Sequence, residues 1–102
     1  MKTILLLGGG NCQRSAARHA SEQGARVVLA DYTQNPPAAQ YAAAHVSVST
    51  FDIDGCIAAA RQYHVDGVMT IGTDQPVYTA ACVAEKLGLP CSVSVETALS
   101  VT

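Results

Sequence analysis

An apolar strand that runs straight into three glycines and then a helix constrains this chain more than any other stretch. Ile4-Leu5-Leu6-Leu7 is followed by Gly8-Gly9-Gly10 and then by Asn11-Cys12-Gln13. Four consecutive large apolar residues need cover on both faces, the condition of a strand inside a parallel sheet. The glycines after it can take positive φ and leave backbone N–H groups bare. The helix that follows adds its own unpaired donors and the positive end of its dipole. Such a turn suits an anionic or strongly polar ligand.

The rest of the chain repeats the alternation. Thr3 to Leu7 reads as the first strand and Asn11 to Gln23 as a helix, with Ser15, Ala16, Ala17, Ala20 and Ser21 small enough for close approach to the sheet and Gly24 as the terminating residue. Arg26 to Ala30 is the second strand, ending at Asp31. After the break at Gln34-Asn35-Pro36-Pro37, Ala38 to Ala43 forms a short helical turn and His45 to Ser49 the third strand. Asp52 to His64 is a helix with acids at its positive end and Ile53, Ile57 and Ala60 at helical spacing. Asp66-Gly67 resets the chain before a fourth strand, Val68 to Ile71. Gly72-Thr73-Asp74 then leads into a helix from Pro76 to Leu87 with Val77, Ala81 and Ala84 as its buried stripe. Gly88-Leu89-Pro90 stops it, Cys91 to Val93 can add a short fifth strand, and Ser94 can cap a last turn over Val95 to Leu99.

Strands alternating with helices at this spacing predict an α/β fold: a doubly wound parallel sheet of four to five strands, order 3-2-1-4 with the fifth beside the fourth, and helices on both faces. In that order the chain reverses direction between strands 1 and 4. Their carboxyl ends therefore flank the crevice where ligands bind in open α/β sheets, and the glycine turn and Gly72-Thr73-Asp74 are expected neighbours.

Composition narrows the function. The chain has 102 residues, so residues 1–102 make one domain, too small for most complete enzymes of the kind a glycine loop suggests. Seventeen alanines and five aromatic residues imply tight helix-on-sheet contact. A net charge of -2 and a pI near 5.8 leave no basic face for nucleic acid. Cys12, Cys56, Cys82 and Cys91 form no C-x-x-C pair and read as buried or free thiols in a reducing, cytoplasmic setting. The apolar run at Met1 to Leu7 stops too early for a leader, no stretch approaches the roughly 20 apolar residues of a membrane span, and no basic amphipathic segment suits a membrane surface. His19, His45 and His64 lie on three elements without zinc spacing and read as surface or edge residues.

Two readings of the glycine turn differ in ligand. In a dinucleotide-binding or other free-standing small-ligand module, Gly8-x-Gly10 begins the fingerprint and Asp31, about 20 positions on, holds a ribose hydroxyl. Gln13, however, stands where that fingerprint has its third glycine.

The other reading comes from a resemblance that runs along the whole chain. ILLLGGGNCQ, RVVLADYTQNPPA with its acidic strand end, HVSVSTFD, DGVMTIGTDQPV and VAEKLGLPCSVSVETALSVT resemble, in order and spacing, the N-terminal domain of ATP-grasp ligases, especially carbamoyl-phosphate-synthase-like and phosphoribosylglycinamide-synthetase-like members. In that family a carboxylate is activated as an acyl phosphate and attacked by an amine or thiol, with ATP and magnesium held by later domains. The resemblance implies that this domain is truncated from a longer multidomain ligase, binds no cofactor itself, is inactive alone, and serves a full-length enzyme that uses ATP and magnesium. It implies contacts to a small-molecule substrate from Gly9, Gly10, Asn11, Gln13, Asp31, Thr73 and Asp74, with no catalytic or metal-binding residue. Chemically, backbone N–H groups at Gly9, Gly10 and Asn11 can receive carboxylate or phosphate oxygens, the Gln13 amide can donate and accept, and Asp74 can hold an amine or hydroxyl. The same residues have local alternatives: Asn11 and Asp74 as helix caps, Asp31 as a tie for the loop from Tyr32 to Pro37. Docking on the remaining ATP-grasp domains implies exposed apolar surface, or its cover in a homodimer.

Overall fold

The structure, a computed structural model, describes residues 2–8, 11–32, 36–70, 74–89 and 91–92, with residues 11–13, 37, 74–77 and 91–92 described by their backbone. Five parallel strands form one sheet: β1 (Thr3–Leu7), β2 (Arg26–Ala30), β3 (Ala44–Val46), β4 (Gly67–Met69) and β5 (Cys91–Ser92), in the order β3-β2-β1-β4-β5. The helices are α1 (Asn11–Glu22), α2 (Ile53–Gln62) and α3 (Asp74–Leu87), with a 3-10 turn over Pro37–Tyr41. This is the doubly wound arrangement expected from the sequence. No described helix is long and apolar enough to cross a membrane.

The pleat of the strands explains the two layers. Side chains along a strand point alternately to opposite faces, and β1 is buried at every position, so it feeds two cores at once. Ile4 and Leu6, with Val27, Leu29 and Met69, pack on Ala16, Ala17 and Ala20 of α1 and on Ala38. Leu5 and Leu7, with Val28, Ala30 and Val68, pack on Cys56, Ala59 and Ala60 of α2 and on Ala80, Val83 and Ala84 of α3. Alanine dominates the helix side of both layers, which brings helix backbone close to the sheet. Cys56 is buried there with its thiol 3.6 Å from the Ser49 carbonyl. Burial, and secondarily the Asp52 charge, pushes the thiol up to about 11, which leaves a neutral packing residue.

At the amino edge, the Thr3 N–H donates to the Asp66 carboxylate (2.8 Å) and the Asp66 N–H returns a bond to the Thr3 carbonyl (2.6 Å). This reciprocal clamp joins the first residue of β1 to the residue just before β4 and so fixes the two strands at their amino ends. Gly24 takes φ 87° after α1, as expected of its terminator. After α2 the left-handed position falls to His64 (φ 52°), while Gly67 is the first residue of β4.

Several elements differ from expectation. Ser15 and Ser21 are exposed, and among the described residues Ala16, Ala17 and Ala20 carry the sheet contact of α1. The helical turn after Pro36 covers Pro37–Tyr41 rather than Ala38 to Ala43. β3 ends at Val46, because the Val48 N–H turns back to the Val46 carbonyl (2.9 Å). On α2, Cys56, Ala59 and Ala60 are fully buried while Ile53 and Ile57 are half-buried. α3 begins two residues before Pro76, which lies within the first turn, where a missing N–H leaves no intrahelical bond unmade. Among the side chains described, its buried face is Thr79, Ala80, Val83 and Ala84, and Ala81 is exposed; the Val77 side chain lies outside the described residues. Ile71, Val93, the Ser94 cap and the turn from Val95 to Leu99 lie outside the described residues.

Candidate functional site

The carboxyl edge of the sheet collects the residues that the sequence marks. β1 pairs with β2 in the register Leu7↔Ala30 and with β4 in the register Leu6↔Met69. Gly8 therefore stands opposite Asp31, and Thr70 stands level with Leu7. Gly8 takes φ 93°, a conformation that side chains rarely adopt, and its N–H donates to the Ala30 carbonyl (2.9 Å). The chain is thus held to β2 for one residue past β1 before it turns toward α1.

The order in which strands are laid down across the sheet reverses between β1 and β4, and a buried side chain fastens that junction. The Thr70 hydroxyl donates to the Leu7 carbonyl (3.0 Å) across 63 residues of sequence. This bond fixes the spacing of the two strand ends that flank the crevice. Thr70→Val, which keeps the shape and removes the donor, is expected to lower stability by about 1 kcal/mol. Urea unfolding measures the loss, and faster amide exchange at Gly8 shows that it is felt in the crevice. Unchanged exchange there would make Thr70 a packing residue only.

Asp31 is held from both sides. Its N–H donates to the Val46 carbonyl (3.2 Å), and its carbonyl meets His45 Nε2 at 2.7 Å. The half-buried residue therefore begins the loop after β2 from a fixed backbone, at the strand end opposite Gly8. His45 is exposed on β3, in keeping with an edge histidine. Among the described residues, no group of three His, Cys, Asp or Glu side chains could hold a metal ion.

The other candidates are placed by backbone. Asn11 is the first residue of α1 and Gln13 lies in its first turn, so both contribute N–H groups that have no intrahelical acceptor. Asp74 opens α3 in the same way. Asn11 and Asp74 are the first residues of their helices. Since α1 follows β1 and α3 follows β4, two helix amino termini start from neighbouring strand ends. Gly9, Gly10, Gly72 and Thr73 lie outside the described residues.

Sequence reasoning missed Thr70. Its signal was a hydroxyl at the end of an otherwise apolar strand, which becomes informative once β1 and β4 are known to be neighbours. Three large apolar side chains are also exposed after the carboxyl ends of strands: Tyr32 (70%), Phe51 (67%) and Tyr78 (59%). The Thr79 hydroxyl donates to the Thr50 carbonyl (2.6 Å), which ties α3 beside Tyr78 to the loop that carries Phe51. The Cys82 thiol, one turn from Tyr78, raises the pKa of its phenol.

Comparisons with known proteins agree with this arrangement. Residues 17–91 match the family model of the ATP-grasp N-terminal domain. The fold is similar to that of N5-carboxyaminoimidazole ribonucleotide synthetase from Thermotoga maritima, at 23% identity and a TM-score of 0.76 over 97% of this chain and 27% of that one. It is also similar to phosphoribosylglycinamide synthetase from Anaerococcus prevotii, at 20% identity and a TM-score of 0.76 over 85% and 22% of the two chains. A third structure, glycinamide-RNase-transformylase T from Mycobacterium tuberculosis, aligns at 25% identity and a TM-score of 0.70 over 95% and 27%. This chain spans about a quarter of the length of these structures. Comparison with curated protein sequences gave no match.

Proposed function

Because the chain belongs to the ATP-grasp N-terminal domain family, we propose that it is the first domain of an ATP-dependent ligase that joins a carboxylate to an amine or thiol through an acyl phosphate. In this reading the domain contacts the non-nucleotide substrate and docks on the parts of the enzyme that bind ATP and magnesium. The observation that carries it is the junction of β1 and β4, where Gly8, the Thr70 bond and the amino termini of α1 and α3 meet at one sheet edge. A ligand carboxylate or phosphate placed there would meet unpaired backbone donors, and Asp31 beside it could orient an amine or hydroxyl. The roles of Gly9, Gly10, Asn11, Gln13, Thr73 and Asp74 are part of the same proposal.

Docking is supported by the exposed aromatics. Tyr32 lies just past β2, Phe51 on the loop between β3 and α2, and Tyr78 on α3, where the bond from the neighbouring Thr79 to Thr50 joins the last two segments. All three offer large apolar surface to a covering domain. Large exposed apolar side chains are typical of a surface that another body covers. The cytoplasm is the compartment this reading implies.

The second reading, a free-standing dinucleotide-binding module, rests on Gly8 facing Asp31. Titrating the isotopically labelled chain with NAD, ATP and ADP separates the two. The ligase-domain reading expects no saturable shift with any of them. Saturable shifts around Gly8 to Gln13 with NAD would favour the second reading.

A further inference from the structure

We propose a separate binding pocket for the phosphate group of a small ligand on the outer face of α1, away from the sheet edge. A cavity of about 460 Å³ is lined by Arg14, Ser15, Arg18, His19 and Glu22 of α1 and by Tyr41 of the 3-10 turn. All five α1 residues lie on the face opposite Ala16, Ala17 and Ala20, which pack on the sheet. The volume is in the range of small-molecule sites, and the lining is almost entirely polar.

The charge distribution selects the ligand. This acidic chain has six lysines and arginines in all, and two of them enter this one cavity. Arg18 pairs with Glu22 (3.5 Å), and both are well exposed, at 63% and 60%. Among the described residues Arg14 has no ion pair, although it lies one helical turn from Arg18. Like charges at that spacing destabilise a helix. The position compounds this, because α1 has no acidic residue in its first turn, and Arg14 closes that turn at the positive end of the dipole. By contrast, α2 carries Asp52 as its cap and Asp54 in its first turn. α1 thus begins with an excess of positive charge that nothing on its own surface neutralises, beside a cavity open to solvent.

A phosphate matches that excess. The guanidinium fork donates to two phosphate oxygens in one plane, and side chains one turn apart are close enough for Arg14 and Arg18 to share one anion. The hydroxyls of Ser15 and Tyr41 supply further donors around it. Glu22 is the one carboxylate in the lining, and it competes with the ligand for Arg18.

Titration of the isotopically labelled chain with inorganic phosphate, against sodium chloride at matched ionic strength, tests the proposal. Saturable shifts are expected at residues 14, 15, 18, 19, 22 and 41, with a Kd of about 1 mM. Arg14→Gln should weaken binding about five- to tenfold. Glu22→Gln should tighten it about two- to threefold by releasing Arg18, an effect that loss of structure would not mimic. Arg61→Gln removes an equal charge from the opposite layer and should leave the affinity unchanged. The proposal is overturned if no saturation appears below about 20 mM, if the shifts localise to the glycine turn, or if Arg61→Gln weakens binding as much as Arg14→Gln.

Discussion

Leu6→Ala is expected to lower the unfolding free energy by about 2–5 kcal/mol. Leu6 is fully buried in the central strand, opposite Leu29 on one side and Met69 on the other. Above it lie Ala16, Ala17 and Ala20, whose methyl groups already hold α1 close to the sheet. Alanine neighbours have no side chain long enough to swing into the space that Leu6 would vacate, so the cavity persists and the cost lies in the upper part of the range. A domain of this size has about 5–15 kcal/mol in total, so the variant retains a fraction of its stability. Urea unfolding followed by circular dichroism measures the change. Leu6→Met, which nearly conserves volume, should cost less than about 1.5 kcal/mol. A loss below about 1 kcal/mol for Leu6→Ala would mean that this layer is less tightly packed than the structure shows.

Gly55→Ala is expected to destabilise, against the general preference of helices for alanine over glycine, which favours the opposite sign by up to about 1 kcal/mol. Asp52 caps α2 by accepting the Gly55 N–H (3.0 Å), which draws its carboxylate over the glycine. A Cβ at position 55 would lie 2.5 Å from Asp52 Oδ2 and 2.5 Å from Val48 Cγ2. Both must give way: the cap carboxylate is pushed off the Gly55 N–H, and Val48 is displaced from the apolar cluster on that face. Overpacking and loss of a cap together amount to about 2–4 kcal/mol. Asp52→Ala alone should cost about 1 kcal/mol. The double variant should cost less than the sum of the two single changes, because removing the carboxylate relieves half of the clash. An additive double variant, or a stabilised Gly55→Ala, would contradict this account.

Much of the fold was legible because β1 and β2 are unbroken apolar runs with clear ends. Thr3 to Leu7 stops at a glycine and Arg26 to Ala30 stops at an aspartate, and both strands have the expected bounds. Edge elements were less legible. Val46 and Val48 alternate as a strand would, yet Val48 turns inward over α2 and the strand ends before it. On α3, periodicity cannot rank one alanine above another: Ala81 is exposed, and the buried face includes Thr79, whose hydroxyl is satisfied by the Thr50 carbonyl. The same limit applies to the site. Asp31 at a strand end was readable from local sequence, whereas the Thr70 bond joins residues 63 apart and depends on strand order. The α1 pocket was hidden because its charges follow helical spacing on an exposed face, and such charges usually belong to a solvated surface.

The central claim, that this chain is the first domain of an ATP-grasp ligase, is tested most directly by reading the source gene past the codon for Thr102. The account predicts an open frame of a few hundred codons that encodes an early lysine, a glycine-rich loop and a late acidic metal site. A stop codon immediately after Thr102 would contradict it, and the crevice between β1 and β4 would then have to serve a ligand bound by this domain alone.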